Sequence, residues 1–411
     1  MSKFSDTERD GKMLKGKHIL LGVTGSIAAY KIASLASMLK KQGADITVIM
    51  TKNAANFIHP ITFEALTGNK CLTDTFDRNF QHSVEHVSLA KQTDVFLIAP
   101  ASANVIAKAA HGIADDMLTT TLLACQCPKI IAPAMNTRMF QNPIVQDNMK
   151  ILERYGMEVI TPATGYLACG DTGEGKMPEP ELLFEYIVKA LQPKDMSGIK
   201  LLVTAGPTRE RIDPVRYISN HSTGKMGYAI ARAAMMRGTN VTLVTGKTSL
   251  TPPMGVHTIE IESAQDMADA VKAAAPEQDI IIKAAAVADY RPRHVADQKV
   301  KKKDGDMNID LERTEDILGF LGAHKAAGQF LCGFSMETEN MIENSRVKLE
   351  RKNLDLIVAN SLRQEGAGFG TDTNVVTLLS KEDTIQLPIM SKEDVANELL
   401  DYIMTKRPSQ P

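Results

Sequence analysis

From His18 onward, short runs of valine, isoleucine and leucine alternate with helix-length amphipathic stretches. HILLGV, ADITVIM, TDVFLIAP, PKIIAPAM and MEVI are apolar almost without interruption, as strands covered on both faces of a sheet must be. Between the first pair, IAAYKIASLASMLKKQG ends in Lys-Lys and then Gly43, the basic last turn and glycine stop of a helix. Strands alternating with helices predict right-handed βαβ units and a parallel sheet. TPATGYLACGDTGEGKMPEP then reads as a loop-rich segment long enough to be a lid, followed by a helix from about Glu181 to Leu191.

The polar stretch 192–198, QPKDMSG, separates periodic elements and is the best linker. Beyond it the alternation restarts with KLLVTAG, TNVTLVTG, VHTIEI, DIIIKAAAV, QFLCGFSM and LDLIVAN. SAQD at Ser263 and SKED at Ser391 are capping-box signals for helix starts. NVVTLLSKEDTIQLPIM predicts a late hairpin turning at Lys-Glu-Asp. The expected fold class is α/β, with two Rossmann-like three-layer domains in series, 17–192 and 193–411, behind a flexible tail over 1–16.

Composition narrows this little. A chain of 411 residues exceeds the roughly 100 to 200 residues usual for one domain. Hydrophobic residues at 44% and charged residues at 23% suit a soluble globular protein. A net charge of -2 exerts no general pull on nucleic acid or an anionic membrane, although KVKKK at Lys299 to Lys303 is locally basic. Aromatics at 5% without a base-stacking motif argue against nucleic acid. Of the five cysteines, Cys71, Cys125, Cys127, Cys169 and Cys332, only one Cys-Gln-Cys is close-spaced, favouring free thiols in a reducing cytosol over disulfides or zinc. No apolar run reaches the roughly 18 to 20 residues of a membrane span, and the polar MSKFSDTERDGKMLKGK is unlike a signal peptide.

Candidate chemistry concentrates where strands end. In GVTGSIAAYK the first strand ends near Val23 and Gly25-Ser26 meets the next helix. There free amides and a hydroxyl can receive a phosphate, or the loop is simply a tight turn. NAD is disfavoured because GxGxxG is missing and Asp45 starts the second strand instead of ending it. FMN fits better, with APASANVIAK and Met50-Thr51-Lys52 at neighbouring strand ends. PAMNTRMF places Asn136 over the same crevice, as a ligand contact or a helix cap. His86 in QHSVEHVSLAK reads equally as a surface or capping histidine, and KVKKK as a solvated face.

Taken together, GVTGSIAAYK, HVSLAK, APASAN, PAMNTRM and ACGDTGEGKM resemble the flavin-containing cysteine decarboxylases, of flavodoxin-like fold. NHSTGKMG, AAAVADY, KVKKK and RKNLDLIVAN are similar to phosphopantothenate-cysteine ligase. The chain from about residue 17 to 405 resembles the bacterial bifunctional phosphopantothenoylcysteine decarboxylases and phosphopantothenate-cysteine ligases of coenzyme A synthesis. The resemblance implies a ligase half that activates 4'-phosphopantothenate with CTP to an acyl-cytidylate, which the amine of L-cysteine attacks. It implies a decarboxylase half that oxidises the cysteinyl thiol with FMN, releases carbon dioxide and reduces the ene-thiol to 4'-phosphopantetheine.

By that resemblance His86 serves the oxidative decarboxylation, Asn136 holds the substrate carboxylate and Cys169 donates a proton in the reduction. FMN falls to Gly25, Ser26, Ile27, Thr51, Ser102, Ala103, Asn104 and Ala134. Asn220 completes conversion of the acyl-cytidylate. CTP falls to Asp289, Lys299, Asp316, Ile317, Phe334, Lys348 and Lys352, with Mg2+ sharing the charge but no metal ligands assigned. A cytoplasmic homo-oligomer with sites shared between subunits is implied, with neither nucleic acid nor membrane as partner. The chain departs from the family's usual residues at Phe140, Asp115 and Glu315, where tryptophan, asparagine and proline are common.

Overall fold

The computed structural model describes residues 12–75, 85–167, 170, 172–301, 307–337, 340–361 and 370–407. The chain divides into two compact units, Met1–Gln192 and Pro193–Pro411.

In the first unit β1 (His18–Val23), β2 (Asp45–Met50), β3 (Cys71–Leu72), β4 (Val95–Ala101), β5 (Lys129–Pro133) and β6 (Glu158–Val159) form a parallel sheet ordered β3-β2-β1-β4-β5-β6. Setting aside the two-residue edge strand β3, the order is flavodoxin-like. The connecting helices are α1 (Tyr30–Lys41), α2 (Pro60–Thr67), α3 (Glu85–Gln92), α4 (Ala103–Ala110), α5 (Met117–Ala124), α6 (Thr137–Phe140), α7 (Pro143–Arg154) and α8 (Pro180–Leu191). Period-two alternation sends Ile19, Leu21 and Val23 to one face, against Ile32, Leu35 and Leu39 of α1 and Leu183 and Ile187 of α8. Leu20, Phe96 and Ile98 face the other way, onto Val105 of α4, Leu118 and Leu122 of α5 and Leu152 of α7. Because both faces are covered, the strands read as unbroken apolar runs.

The segment expected to be a loop is instead an antiparallel hairpin, β7 (Ala163–Tyr166) with β8 (Thr172–Lys176). Its strands, ATGY and TGEGK, have no apolar alternation from which a strand could be read. Cys169 lies outside the described residues, as does most of the expected N-terminal tail.

The second unit contains β9 (Lys200–Ala205), β10 (Arg209–Arg211), β11 (Tyr217–Ser219), β12 (Asn240–Thr245), β13 (His257–Glu260), β14 (Ile280–Lys283), β15 (Tyr290–Pro292), β16 (Leu311–Arg313), β17 (Phe330–Glu337), β18 (Leu356–Ser361), β19 (Thr373–Asn374), β20 (Val376–Leu379), β21 (Thr384–Gln386) and β22 (Met390–Ser391). Its main sheet runs β13-β12-β9-β14-β17-β18-β20-β21. The first six strands are parallel and repeat the order of the first unit, and the predicted late hairpin, β20 with β21, extends the edge antiparallel.

Helices α9 (Lys225–Met236) and α13 (Lys392–Lys406) cover one face, and α10 (Ala264–Ala274), α11 (Ile317–Ala323) and α12 (Met341–Arg351) the other. The Ser263 hydroxyl accepts from the Asp266 amide at 3.1 Å while Asp266 Oδ2 accepts from the Ser263 amide at 2.9 Å, closing the predicted capping box of α10. Ser391 likewise caps α13 through the Asp394 amide at 3.1 Å.

Helix α9 lies hard against β9 at Gly227, where a Cβ would stand 2.6 Å from Ala205 Cβ and 2.8 Å from the Thr204 carbonyl oxygen. Gly227→Val is therefore expected to destabilise the second unit by about 3 kcal/mol, read as a lower urea midpoint by circular dichroism; an unchanged midpoint would contradict this packing.

Candidate functional site

Open α/β sheets bind ligands beyond the carboxyl ends of their strands, where the strand order reverses. In the first unit that point lies between β1 and β4. Thr24, fully buried just past β1, donates from Oγ1 to the Pro100 carbonyl at 2.6 Å and accepts from the Ser102 amide at 2.9 Å. One hydroxyl thus ties the two loops that leave the reversal point. Gly25 permits close approach to the loop after β2, since a Cβ there would stand 2.7 Å from Asn53 Cβ. Ser26 caps the short 3-10 helix Ile27–Ala29, accepting from the Ala28 amide at 3.4 Å.

Beside this loop opens a cavity of about 670 Å³. Ser26, Ile27, Ala134 and Asn136, all expected at the site, line it together. Asn136 Oδ1 accepts from the Met139 amide at 2.8 Å as the cap of α6, so its NH2 group remains a donor. Ligand contact and helix cap are therefore compatible roles for one side chain. The β7–β8 hairpin forms another wall: the Met135 amide donates to the Gly175 carbonyl at 3.1 Å, and Thr137 Oγ1 to the Glu174 carbonyl at 2.9 Å. Gly175 has φ +114, and a Cβ there would meet Met135 O at 2.3 Å.

Thr51, Ser102, Ala103 and Asn104 lie at the carboxyl ends of β2 and β4 and do not line this cavity. Ser102 caps α4 through the Val105 amide at 3.5 Å. His86 on α3 is likewise not among the lining side chains. Sequence reasoning missed Lys31 and Glu179, which line the cavity as an ion pair at 2.7 Å. The Lys31 hydrogen bond holds the Glu179 carboxyl below its usual range. The one-turn spacing of Ile27 and Lys31 is the signal that could have found Lys31. Asp115 pairs with Lys108 at 2.7 Å, and that hydrogen bond keeps it ionised as a charged surface group. Phe140 packs against the core of its unit, and Glu315 in the second unit pairs with Lys272 at 2.5 Å.

The second unit repeats the device between β9 and β14. Fully buried Thr204 accepts from the Ala285 amide at 3.1 Å, and fully buried Thr208 from the Ala288 amide at 3.0 Å. The long excursion after β9 is the hairpin β10–β11, which returns the chain so that Asn220 Nδ2 donates to the Ala286 carbonyl at 2.8 Å. Gly224, at φ +81, then starts α9.

A cavity of about 540 Å³ opens here, and Asp289, Asp316, Ile317, Phe334 and Lys352, five of the residues expected to meet CTP, line it together. Asp316 caps α11 through the Gly319 amide at 3.0 Å and accepts from Lys352 Nζ at 2.9 Å. Burial opposes its charge, but these hydrogen bonds keep its carboxyl below the usual range. Lys348 donates to Ser335 Oγ at 3.4 Å, next to Phe334 and outside the lining.

Lys299 is exposed and not among the lining residues. Its neighbour Val300 is anchored, donating to Asp213 Oδ2 at 3.2 Å and accepting from Arg216 Nη2 at 3.1 Å. Asp213 also receives the Val215 and Arg216 amides, both at 2.8 Å. Lys302 and Lys303 lie outside the described residues. Among those described, no group of three or more His, Cys, Asp or Glu is arranged to hold a metal, and no helix is long and apolar enough to cross a membrane.

The family model described as "Flavoprotein" matches residues 7–192, and that described as "DNA/pantothenate metabolism flavoprotein C-terminal domain" matches residues 196–406. The coenzyme A biosynthesis bifunctional protein CoaBC of Bacillus subtilis (strain 168) is 48% identical over 396 residues, covering 95% of this chain and 97% of that protein. Its namesake from Escherichia coli (strain K12) is 42% identical over 397 residues, covering 96% and 98%. A crystal structure of the C-terminal domain of a coenzyme A biosynthesis bifunctional protein CoaBC is 46% identical, covers 51% of this chain and 96% of that one, and has a TM-score of 0.44.

The Arg216 hydrogen bond, joined by backbone amides against the opposing effect of burial, holds the Asp213 carboxyl well below its usual range. Its contribution is present above the ordinary aspartate range and is lost only as pH falls through the depressed value. Asp213→Asn is expected to loosen the Lys299 loop and speed tryptic cleavage after Lys299 and Lys301, whereas the wild-type anchor persists in mild acid. Equal cleavage rates would show that Asp213 does not anchor it.

Proposed function

The chain belongs to the bifunctional coenzyme A biosynthesis proteins and carries phosphopantothenate-cysteine ligase and phosphopantothenoylcysteine decarboxylase activities; from that premise we propose how the two reactions are divided and which residues perform them. Residues 17–192 act as the FMN-dependent decarboxylase and 193–411 as the CTP-dependent ligase. The observation that carries the division is that each unit has its own crevice at the carboxyl ends of its own sheet's strands, one walled largely by apolar groups and one by charged groups.

In the ligase, CTP occupies the second crevice against Asp289, Asp316, Ile317, Phe334 and Lys352, with Lys348 reaching it from beside Phe334. The carboxylate of 4'-phosphopantothenate attacks the α-phosphorus, pyrophosphate leaves, and the acyl-cytidylate forms. The amine of L-cysteine then attacks the acyl carbon and releases CMP. Lys299, on its anchored loop, offsets negative charge developing on the triphosphate, a role Mg2+ shares when it accompanies the nucleotide. Asn220, fixed to the loop after β14, orients the acyl-cytidylate for that second attack.

The first crevice fits a flavin mononucleotide. Its volume lies within the roughly 300 to 1,000 Å³ of cofactor sites, Gly25 and Ser26 admit a phosphate to helix-start amides, and Ile27, Leu167 and Met177 offer apolar walls to a ring. Ser26, Ile27 and Ala134 would hold it from the cavity wall, and Gly25, Thr51, Ser102, Ala103 and Asn104 from the adjoining strand ends. When bound, FMN supplies the two-electron acceptor that lets the substrate lose carbon dioxide and returns the electrons afterwards. Asn136 holds the substrate carboxylate with its NH2, His86 serves the oxidative half, and Cys169 donates the proton that completes reduction.

His86 does not line the cavity of its own chain, and we assign it to a neighbouring subunit's site within a homo-oligomer. Ile27, Tyr30 and Tyr166, exposed at 55%, 59% and 72% along the cavity, supply apolar surface for that contact. The free thiols of Cys71, Cys125, Cys127 and Cys332 favour a cytoplasmic setting. Neither nucleic acid nor membrane enters this function.

With 4'-phosphopantothenate, L-cysteine and Mg-CTP, the full chain is expected to yield 4'-phosphopantetheine by mass analysis. Asn220→Ala should accumulate the acyl-cytidylate and slow turnover roughly 10² to 10³-fold; normal turnover would refute its role. Gly25→Val should lose the yellow flavin absorbance and stop at phosphopantothenoylcysteine. Retained absorbance with complete turnover would exclude the first crevice as the flavin site.

A further inference from the structure

Lys283 is the last residue of β14, one of the two strands at the reversal point, and it lines the second cavity. The residue is only 7% exposed. Beneath it, Ile281 packs with Met267 of α10 and Ile317 of α11. Its Nζ lies 3.6 Å from Met267 Sδ, a weak acceptor for an ammonium. From α11, Asp316 acts on it electrostatically, but that carboxylate already receives Lys352 Nζ at 2.9 Å and the Gly319 amide at 3.0 Å. From α10, Lys272 is engaged with Glu315.

The remaining charged side chains lining the cavity balance: Asp289, Glu315 and Asp316 stand against Arg313, Arg351 and Lys352. Thr204 of β9 and Phe334 of β17 add no charge. Lys283 is thus the group whose charge sets the sign of the cavity. Burial lowers its pKa to about 7, with Asp316 opposing the shift and Lys352 adding to it.

We propose that Lys283 is an anion-binding residue of the nucleotide site that gains its charge as the ligand arrives, taking up a proton when a nucleoside triphosphate binds. The proposal rests on the assignment of this cavity to CTP. Binding of a polyanion stabilises the ammonium and raises its pKa in the complex. Well below pH 7 both free and bound forms carry the proton, so this residue makes binding independent of pH there; above about 7 binding consumes a proton and affinity falls as pH rises.

Isothermal titration of the full chain with Mg-CTP, without 4'-phosphopantothenate or cysteine, at about pH 8 in buffers of different ionisation enthalpy, tests this directly. Wild type is expected to take up a substantial fraction of a proton per CTP. Lys283→Met should take up none and bind about tenfold or more weakly. Its ligand-free form should nevertheless melt at a higher temperature, because a buried amine held against its preferred charge is gone. Lys283→Gln should show the same loss of uptake. Binding by the wild type without proton uptake, or unchanged uptake in Lys283→Met, overturns the role of Lys283 alone. Failure of the wild type to bind CTP overturns the nucleotide assignment, and this proposal with it.

Discussion

Both crevices depend on buried threonine hydroxyls that bridge the carboxyl ends of the two strands at which the sheet order reverses. Neighbouring connections leave a doubly wound sheet toward opposite faces there, so the backbone groups of their first residues part company and need other partners. Thr24 satisfies one carbonyl and one amide with a single hydroxyl, and Thr204 and Thr208 each accept an amide from the loop after β14. A buried backbone group left without its partner costs about 1 to 3 kcal/mol, so each bridge fixes its loop as well as stabilising it.

The residues these loops carry then separate the chemistries. In the first unit the loop after β1 presents Gly25 and Ser26 and the loop after β5 presents Ala134 and Asn136, with the β7–β8 hairpin closing against the latter. That combination suits a ring with one phosphate. In the second unit the loop after β14 presents Asp289, and Asp316 at the start of α11 stands with Arg313, Arg351 and Lys352, which suits a triphosphate and a reaction that moves negative charge. Two units of the same strand order thus carry different loops at their strand ends, as a common scaffold allows.

The parallel sheets were legible because burial on both faces leaves continuous apolar runs, as in HILLGV and DIIIKAAAV. Asp289 and Asp316 were reached only through the resemblance, whereas Ser26 and Asn136 were legible because each lies where a strand gives way to a helix. The threonine bridges were not: a buried threonine at a strand end looks like any β-branched residue until its partner across the reversal point is known. The β7–β8 hairpin was hidden by its small and polar strands. Asp213 sits in DPVRY, where local sequence suggests a turn but not the tie to Val300, 87 residues away. Lys283 drew no notice within DIIIKAAAV, and only the cavity shows it buried among charged neighbours.

Each ligand is expected at the carboxyl ends of its own sheet's strands. Hydrogen–deuterium exchange on the flavin-free full chain, with FMN and Mg-CTP added separately, measures this most directly. FMN is expected to slow exchange over 24–28 and 133–136, and CTP over 284–290 and 313–318. Protection of 24–28 by CTP, or of 284–290 by FMN, would contradict the account.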